Sequence, residues 1–471
     1  MPEPGIKRSL VLAGGGMRLA YHAGVLRALE DAGIAYGHVD GTSGGIFAAA
    51  MLASGQRPAE IAARWRALKL SGFVSALPFR KYLRPLMMPA FASADGISKK
   101  IFPALGISIP KINHNAELKA TFNVCNFSHK TVESISHRKV TERHLIAGMS
   151  LPIFMPAILI DGSWYTDAVW IKDANLLEAL NHDPDEIWLV WCIGNTKTYH
   201  NGAFLQYVQM IEMSATGGLH AELEWLAAEN EKRLMAGRKE IEVHVIKPEY
   251  ALPLDPDFFL HRVDADTLIN MGYADTVAYL KQKNPLELRR RPYQCTAMKE
   301  SGNYVHFRQQ FTGEALIAGE KVRLTLHLAI FLRESEDGFS VQQYISLQCR
   351  TAKKERLAGG EGEEWWVSGA NAKTQLGKGW LIGEFDLVNG DSRYHLKYSL
   401  YLSAVLDLYW GLAFKMAFVV LEDEHGLMQQ FNLSQSAWKR IQNAFYRYTH
   451  SKASWFKRLA IRKKLLLKLI Q

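Results

Sequence analysis

Short apolar runs alternate with amphipathic stretches over the first three fifths of the chain. The runs at 10–13 and 186–193 are continuous and apolar, as expected of strands buried in a parallel sheet. Apolar residues at helical spacing follow the first run and stop before Gly33, a residue suited to the end of a helix. This alternation of strand and helix predicts an α/β fold.

The same pattern predicts further elements in this region. We expect helices at 46–53, 141–149, 205–235 and 264–280, and strands at 116–126, 130–136 and 241–246. Thr141 is the expected N-cap of its helix. The segment 71–110 is apolar, irregular and rich in Met, Phe and Pro. A loop of that length in a compact domain is typical of a lid.

The pattern of apolar and polar residues changes near residue 290, at the run Arg289-Arg290-Arg291-Pro292. Beyond it, short alternating segments are separated by turns rich in Gly, Asn and Asp, and helical spacing is nearly absent. The predicted strands are 304–307, 322–331, 342–347, 365–367, 380–387, 394–406 and 412–421. Such a series indicates an antiparallel sandwich or barrel. We therefore expect an α/β domain at 1–285, a β-rich domain at 293–432 and a tail at 433–471.

Composition narrows the class of protein. With 471 residues, 48% of them apolar, the chain has ample material for large cores. Its four cysteines form no C-x-x-C pair, which favours a reducing compartment over disulfides or a metal site. The N-terminus lacks the apolar core of a secretory signal, and no apolar stretch reaches the length of a membrane span. We expect a cytoplasmic protein, peripheral on the membrane, without a cofactor or metal.

The positive charge is concentrated in the tail. The net charge is +9, yet residues 431–471 alone carry ten Lys and Arg and no Asp or Glu. At 455–470, apolar residues including Trp455 and Leu459 can share one helical face with lysines opposite. A basic amphipathic helix predicts binding to a membrane surface with anionic lipid; a solvated tail is the alternative. A segment that binds nucleic acid would interleave stacking aromatics with the cations, so no nucleic-acid partner is expected.

Ser43 is the candidate nucleophile. It lies in Gly41-Thr42-Ser43-Gly44-Gly45, between a predicted strand and a predicted helix. Gly-x-Ser-x-Gly in that setting is the pattern of a nucleophile elbow, where a sharp bend exposes the serine hydroxyl. A glycine-rich turn without catalytic function is the alternative.

A second glycine-rich turn, Gly14-Gly15-Gly16-Met17-Arg18, follows the first apolar run. A dinucleotide fingerprint would need glycine where Leu19 stands, and the Gly-Lys-Ser/Thr end of a phosphate loop is missing. The turn opens a helix, so its amides favour negative charge. The amides of Gly14, Gly15 and Gly16 are therefore a candidate oxyanion hole. Arg18 would support the loop or attract an anionic head group.

A third stretch, AGMSLPIFMPAILIDGSWYTDAVW, completes a set of three motifs. With the two glycine-rich turns it resembles the patatin-like phospholipase family over about residues 7–283. The resemblance implies a three-layer α/β/α domain with a mainly parallel sheet, and a Ser–Asp dyad without histidine. Matching the motifs places the dyad aspartate at Asp167, with Asp161 as a rival in the position of the family's hairpin turn.

The sequence departs from the family pattern at two places. Leu19 replaces the glycine that follows Arg18, and Ala168-Val169 replace the two residues after the aspartate. Both changes concern loops beside the candidate site. His22 lies near the first turn, but on a helix face it is expected to be a packed histidine and not a catalytic base.

These features together predict a serine lipid acyl hydrolase of the phospholipase A type. It would cleave phospholipid esters through an acyl-enzyme, at a membrane surface reached through the basic tail. One alternative is an ester or thioester hydrolase, or an acyltransferase, acting on soluble substrates. Another is a non-catalytic, lipid-binding regulatory protein.

Overall fold

The computed structural model describes most of the chain. The described residues are 5–68, 75–76, 90–194, 199, 201–252, 264–299, 302–317, 320–335, 338–351, 363–368, 373–377, 380–389, 392–401, 416–423, 425–435, 448–450, 460–461 and 464–465. The first half of the predicted lid, except Ser75–Ala76, lies outside these residues. So does most of the predicted tail helix.

The chain divides into two compact units. One comprises Met1–Pro256 and Tyr279–Lys299, and the other comprises Asp257–Ala278 and Glu300–Gln471. The boundaries expected from the sequence, at 285, 293 and 433, stay predictions.

A mixed sheet forms the centre of the first unit. Its strands are β1 Arg8–Leu12, β2 His38–Thr42, β5 Lys119–Asn126, β6 Thr131–Ser136, β7 Ile158–Ile160, β8 Ser163–Thr166, β9 Glu186–Val190 and β10 Glu242–Ile246, while β3 Ser75–Ala76 and β4 Ala92–Ser93 pair separately. The order β10-β9-β1-β2-β5 is parallel throughout. Strands β6, β7 and β8 join antiparallel at the β5 side. The predicted mainly parallel sheet is confirmed.

Helices surround this sheet. They are α1 Ala20–Asp31, α2 Gly45–Ala53, α3 Pro58–Ala67, α4 Phe102–Leu105, α5 Ile109–His114, α6 Glu142–Gly148, α7 Leu176–Leu180 and α8 Ala203–Met235. Most of a further helix, α9 Ala265–Gln282, belongs to the second unit. Gly33, with φ 69°, follows α1, and Ile34 N donates back to Leu29 O; this is a Schellman ending. Thr141 caps α6 through the His144 amide. Both predicted ends are therefore confirmed.

Two apolar layers fix the sheet between helices. Val11 and Leu189 belong to a core cluster that includes Leu219 of α8. Because side chains alternate along a strand, Leu10 and Leu12 face the other way, where α2 lies against β2 and β5. The result is the expected arrangement of helix, sheet and helix.

An antiparallel sheet forms the second unit. Its described strands are β11 Tyr304–Ile317, β12 Glu320–Ser335, β13 Gly338–Thr351, β14 Glu363–Ser368, β15 Lys373–Gly377, β16 Trp380–Asn389, β17 Ser392–Tyr401, β18 Met416–Asp423, β19 Met428–Ser434 and β20 Tyr448–His450. Strand β11 pairs with β12 and also with β19, so the sheet returns on itself. Of the two expected forms, the sheet is closer to a barrel, nearly closed where β11 meets β19. Strands β15, β19 and β20 were not predicted.

The interior of this sheet is apolar, with Phe311, Leu326 and Phe385 fully buried. All four cysteines of the chain are free and buried. Within the described part of the chain, no helix is long and apolar enough to span a membrane.

Candidate active site

Ser43 occupies a sharp bend between β2 and α2. Its φ is 51°, a left-handed conformation that is uncommon for residues other than glycine. Small neighbours make the bend possible, because a Cβ on Gly41 would stand 2.8 Å from the Ala49 Cβ. The side chain is 8% exposed. Strain of this kind is typical of functional turns, and this turn has the form of a nucleophile elbow.

Asp167 lies directly against Ser43. It follows β8 and caps the short 3₁₀ turn Ala168–Trp170, where its Oδ1 accepts the Val169 amide at 2.9 Å. Its Oδ2 accepts the Ser43 hydroxyl at 2.7 Å. The Asp167 amide donates to the Ser150 carbonyl at 3.1 Å. The two residues are far apart in the sequence, and the sheet brings them together.

Burial dominates the electrostatics of Asp167. The residue is 1% exposed, and desolvation raises the pKa of its carboxyl to about 7, although the Ser43 and Val169 hydrogen bonds lower it. A carboxyl with that pKa changes protonation near neutral pH, where a general base works best.

The other two candidates for a base are elsewhere. Asp161 is exposed, in the hairpin turn between β7 and β8, with φ 48°. His22 is fully buried in α1, and burial lowers its pKa to about 4. Neither of its ring nitrogens has a hydrogen-bond partner among the described residues. His22 is thus a packed, neutral histidine.

The Gly14–Gly16 turn stands beside the serine. A Cβ on Gly14 would lie 2.7 Å from the Ser43 Cβ and 3.1 Å from its Oγ, and one on Gly15 would lie 2.8 Å from the Cys192 Cβ. Gly16 has φ 59°. The Gly15 and Gly16 amides make no hydrogen bond to another described residue. Unused donors this close to a hydroxyl have the character of an oxyanion hole.

Arg18 supports this turn. Its side chain is buried and its Nε donates to the Gly15 carbonyl at 2.6 Å. Arg18 was expected either to support the loop or to attract an anionic head group, and this hydrogen bond favours support of the loop.

Leu19 and the two residues after Asp167 are accommodated without breaking the site. Leu19 is buried, and its Cδ2 occupies the space where a side chain on Gly44 would be. Ala168 and Val169 are buried, and the contact of Val169 to Asp167 uses only the backbone amide. The departures from the family pattern are therefore packing substitutions.

A buried polar network lies behind the elbow. Asp40 on β2 accepts hydrogen bonds from Thr121 at 2.7 Å and Asn123 at 2.6 Å. Asn123 in turn accepts from Asn175 at 2.8 Å. Burial raises the pKa of Asp40 to about 8. Hydrogen-bonded networks of this kind rigidify their surroundings, and this one fixes β2, the strand that ends just before Ser43.

One acidic residue of the site was missed by the sequence analysis. Asp173 is completely buried, and a Cβ on Gly14 would overlap its Oδ1. Its only sequence signal is an aspartate among apolar residues, shortly after Asp167. That signal does not reveal its position beside the glycine turn.

Three side chains with the spacing of cation ligands lie away from Ser43, at the start of β9 and β10. Ligand atoms of Glu186, Glu242 and His244 fall within 4.8 Å of one another. Arg8 already pairs with Glu186 at 2.6 Å, and its charge opposes a cation there. This cluster is not part of the candidate active site.

A cavity of about 500 Å³ is also separate from Ser43 and Asp167. Its lining includes Lys172, Asn175, Asp183, Trp225 and Arg233.

Part of the chain is similar to a known protein family. Residues 10–180 match the family model described as patatin-like phospholipase. Lysophospholipase NTE1 of Yarrowia lipolytica is 34% identical over 171 residues, which cover 36% of this chain and 11% of that protein. Its counterpart in Coccidioides immitis is 30% identical over 186 residues, covering 38% and 11%. The match thus spans about a ninth of the length of these relatives.

Among solved structures, VipD from Legionella pneumophila aligns with 60% of this chain and 68% of its own, at 11% identity and a TM-score of 0.32. Similarity at that level does not establish a shared fold. The family match covers the part of the chain that contains Ser43 and Asp167. Residues 10–180 of this chain are therefore similar to the patatin-like phospholipase family.

Proposed function

We propose that the protein is a serine lipid acyl hydrolase that cleaves phospholipid or lysophospholipid esters. The observation that carries this proposal is the 2.7 Å hydrogen bond from the Ser43 hydroxyl to the buried Asp167 carboxylate, beside the Gly14–Gly16 turn. Relatives of the matched segment are named lysophospholipases, which favours a lipid ester as the substrate.

In the proposed reaction, Asp167 takes the hydroxyl proton as Ser43 Oγ bonds to the ester carbonyl carbon. The unused amides of Gly15 and Gly16 hold the oxyanion that forms on the carbonyl oxygen, while the Gly14 amide faces Asp173. The carbon–oxygen bond of the ester then breaks, and the alcohol leaves with the proton from Asp167. Water attacks the acyl-enzyme while Asp167 accepts its proton, and Ser43 recovers that proton when the fatty acid is released.

An exposed apolar rim supports action at a membrane surface. We use "apolar rim" for Phe91, Ile153 and Phe204, which are 54%, 53% and 40% exposed. Phe91 donates its amide to the Ile153 carbonyl. The Phe154 ring lies tilted against Phe91 and edge-on to Phe204. Exposed groups of large apolar side chains mark membrane or partner contacts.

The rim is connected to the dyad. Phe154 packs against Tyr207 at 5.5 Å, and Tyr207 packs against Trp170 in the turn that Asp167 caps. Ile153 has φ 75°, a conformation that is a genuine outlier for a β-branched residue. The strained loop holds an apolar side chain in solvent close to the site, where a lipid would approach.

The alternatives differ in what accepts the acyl group or in whether chemistry occurs. A thioesterase or acyltransferase would use the same acyl-enzyme with another leaving group or acceptor. A non-catalytic lipid-binding protein would require a damaged site, and Leu19 is the residue that suggested one. Its packing on Gly44 leaves the turn in place, which favours an active enzyme.

A digest of mixed lipid vesicles, followed by mass spectrometry, tests the proposal. Ser43→Ala and Asp167→Asn are expected to lower release of fatty acid by about 10³-fold or more, since residues that act as a unit each remove most of the catalysis. Asp161→Asn is the matched control, because it removes an exposed carboxyl and should release fatty acid at the wild-type rate. If Ser43→Ala turned over every ester at the wild-type rate, the proposal that the protein is a serine hydrolase would be rejected.

A further inference from the structure

A second carboxyl group, that of Asp173, faces the candidate site. It lies between the turn that Asp167 caps and helix α7, and its side chain is 0% exposed. Its Oδ1 occupies the position where a side chain on Gly14 would begin, and the Ser43 Oγ is 3.1 Å from the same point. Asp173 and Ser43 thus meet on one side of the glycine turn.

Unlike Asp167, Asp173 has little to stabilise an anion. Neither carboxyl oxygen makes a hydrogen bond of normal geometry to a described residue. Asp167, by contrast, accepts both the Ser43 hydroxyl and the Val169 amide. An unsatisfied buried carboxylate is costly, and protonation is the usual remedy.

The charged and polar groups around Asp173 also favour its protonated form. Burial and the nearby Asp167 raise the pKa of Asp173 well above its ordinary value, while the Gly14 amide and Arg18 oppose that rise. Two buried carboxyls in one site do not ionise together readily, so one keeps its proton. Asp167, with the better hydrogen bonds, is the one to ionise.

We propose that Asp173 is a positioning residue of this active site, protonated while Asp167 is ionised, and that its neutral carboxyl holds the Gly14 turn beside Ser43. The inference rests on the proposed hydrolase function. A protonated carboxyl offers one donor and further acceptors without adding a second negative charge. It therefore fixes the turn and leaves the base free to take the serine proton.

The test compares Asp173→Asn with Asp173→Leu in the full-length protein. The measurement is kcat/KM for the soluble ester p-nitrophenyl butyrate across the pH range in which the protein is stable. Asparagine keeps the shape and a neutral polar group beside the Gly14 amide, so the midpoint of the acid limb should stay at the wild-type value and kcat/KM should stay well above that of Asp173→Leu. Leucine removes the polar group, so kcat/KM should fall by about threefold to tenfold or more.

Two results would overturn the inference. A downward shift of the acid limb by about one pH unit or more in Asp173→Asn would mean that Asp173 is charged in the wild type. Wild-type kcat/KM in Asp173→Leu would mean that it positions nothing. If circular dichroism shows that Asp173→Leu does not fold, the inference is tested by the acid limb of Asp173→Asn alone. Ser43→Ala in the same assay tests the proposed function separately, since it should abolish turnover regardless of Asp173.

Discussion

At the scale of single residues, the site depends on two unfavourable states that the surrounding structure imposes. Ser43 is held at φ 51°, and Asp167 is buried as a carboxyl whose pKa rises to about 7. Each state costs free energy in the folded protein, and each has a use in ester hydrolysis. The bend presents the hydroxyl, and the raised pKa makes Asp167 a stronger base than an exposed aspartate.

The raised pKa of Asp167 predicts a pH profile. The base must be ionised to accept the serine proton, so kcat/KM should fall about tenfold per pH unit below pH 7 and level off above it. Steady-state rates with p-nitrophenyl butyrate would measure this limb. Asp161→Asn should have the same profile, because Asp161 is exposed and outside the site. An acid limb near pH 4, the value of an ordinary carboxyl, would contradict the assignment.

At the scale of elements, the two glycine-rich turns are fitted to one another. Leu19, just before α1, occupies the space above Gly44, just before α2, and a Cβ on Gly44 would also stand 3.1 Å from the Gly16 carbonyl oxygen. Gly44 has φ −55° and ψ −31°, which any residue adopts. Glycine is therefore required at position 44 for space, and not for its conformational freedom.

This fit predicts a rescue between the turns. Gly44→Ala should lower stability by about 1–3 kcal/mol through overpacking and displace the Gly14–Gly16 turn, with loss of esterase activity. Adding Leu19→Ala should restore part of both, so that the double variant is less affected than the sum of the single changes. Thermal melts and p-nitrophenyl butyrate rates would measure the two effects.

Gly217→Ala is the control for that experiment, because a Cβ there meets no atom beyond its own helix within 4 Å. It should keep full activity and be as stable as the wild type or slightly more so. Strictly additive losses in the Gly44→Ala, Leu19→Ala pair would show that the two residues do not interact.

At the scale of the whole molecule, two surfaces are candidates for the membrane contact. One is the apolar rim of the first unit, and the other is the basic tail, whose predicted helix lies mostly outside the described residues. The rim has observed exposure and a link to Asp167, through Phe154, Tyr207 and Trp170. For the tail, the evidence for membrane contact comes from the sequence alone.

We expect that replacing Phe91 and Ile153 by serine weakens vesicle binding about tenfold or more, since each large apolar side chain contributes about 1.5–3 kcal/mol when fully buried. Hydrolysis of the soluble p-nitrophenyl butyrate should be unchanged. Met235→Ser, at the end of α8 and 87% exposed, is the matched control. Sedimentation with anionic and neutral vesicles would measure binding.

Deleting 452–471 in parallel separates the two surfaces. A loss confined to anionic vesicles is expected for the tail, since its cations act on charged lipid. Equal vesicle binding by the Phe91, Ile153 double variant and the wild type would exclude the rim.

The sequence by itself determined the local parts of this protein. Apolar periodicity predicted strands β1, β2, β5, β6, β9 and β10 and helices α1, α2, α6 and α8 of the α/β unit, and Gly33 and Thr141 marked helix ends, because such signals act within a few residues. Strands β7 and β8 and helices α3 and α7 were not predicted. The same alternation identified the β-rich region but not its closure, since the pairing of β11 with β19 joins residues far apart in the sequence. Of the strands that were missed, β20 pairs with the distant β11, whereas β15 and β19 pair with β16 and β18, their neighbours in the sequence.

The tertiary structure alone decided which groups share the site. The motif order pointed to Ser43 and Asp167, but the 2.7 Å contact between them depends on the sheet. Strand β2 ends just before Ser43 and pairs with β5, and β8, which ends just before Asp167, pairs with β5 as well. Asp173 and the packing of Leu19 on Gly44 had no readable signal, since each depends on distance in space and on burial. Burial also raised the pKa of Asp167, because desolvation is a property of the folded core and not of the residue.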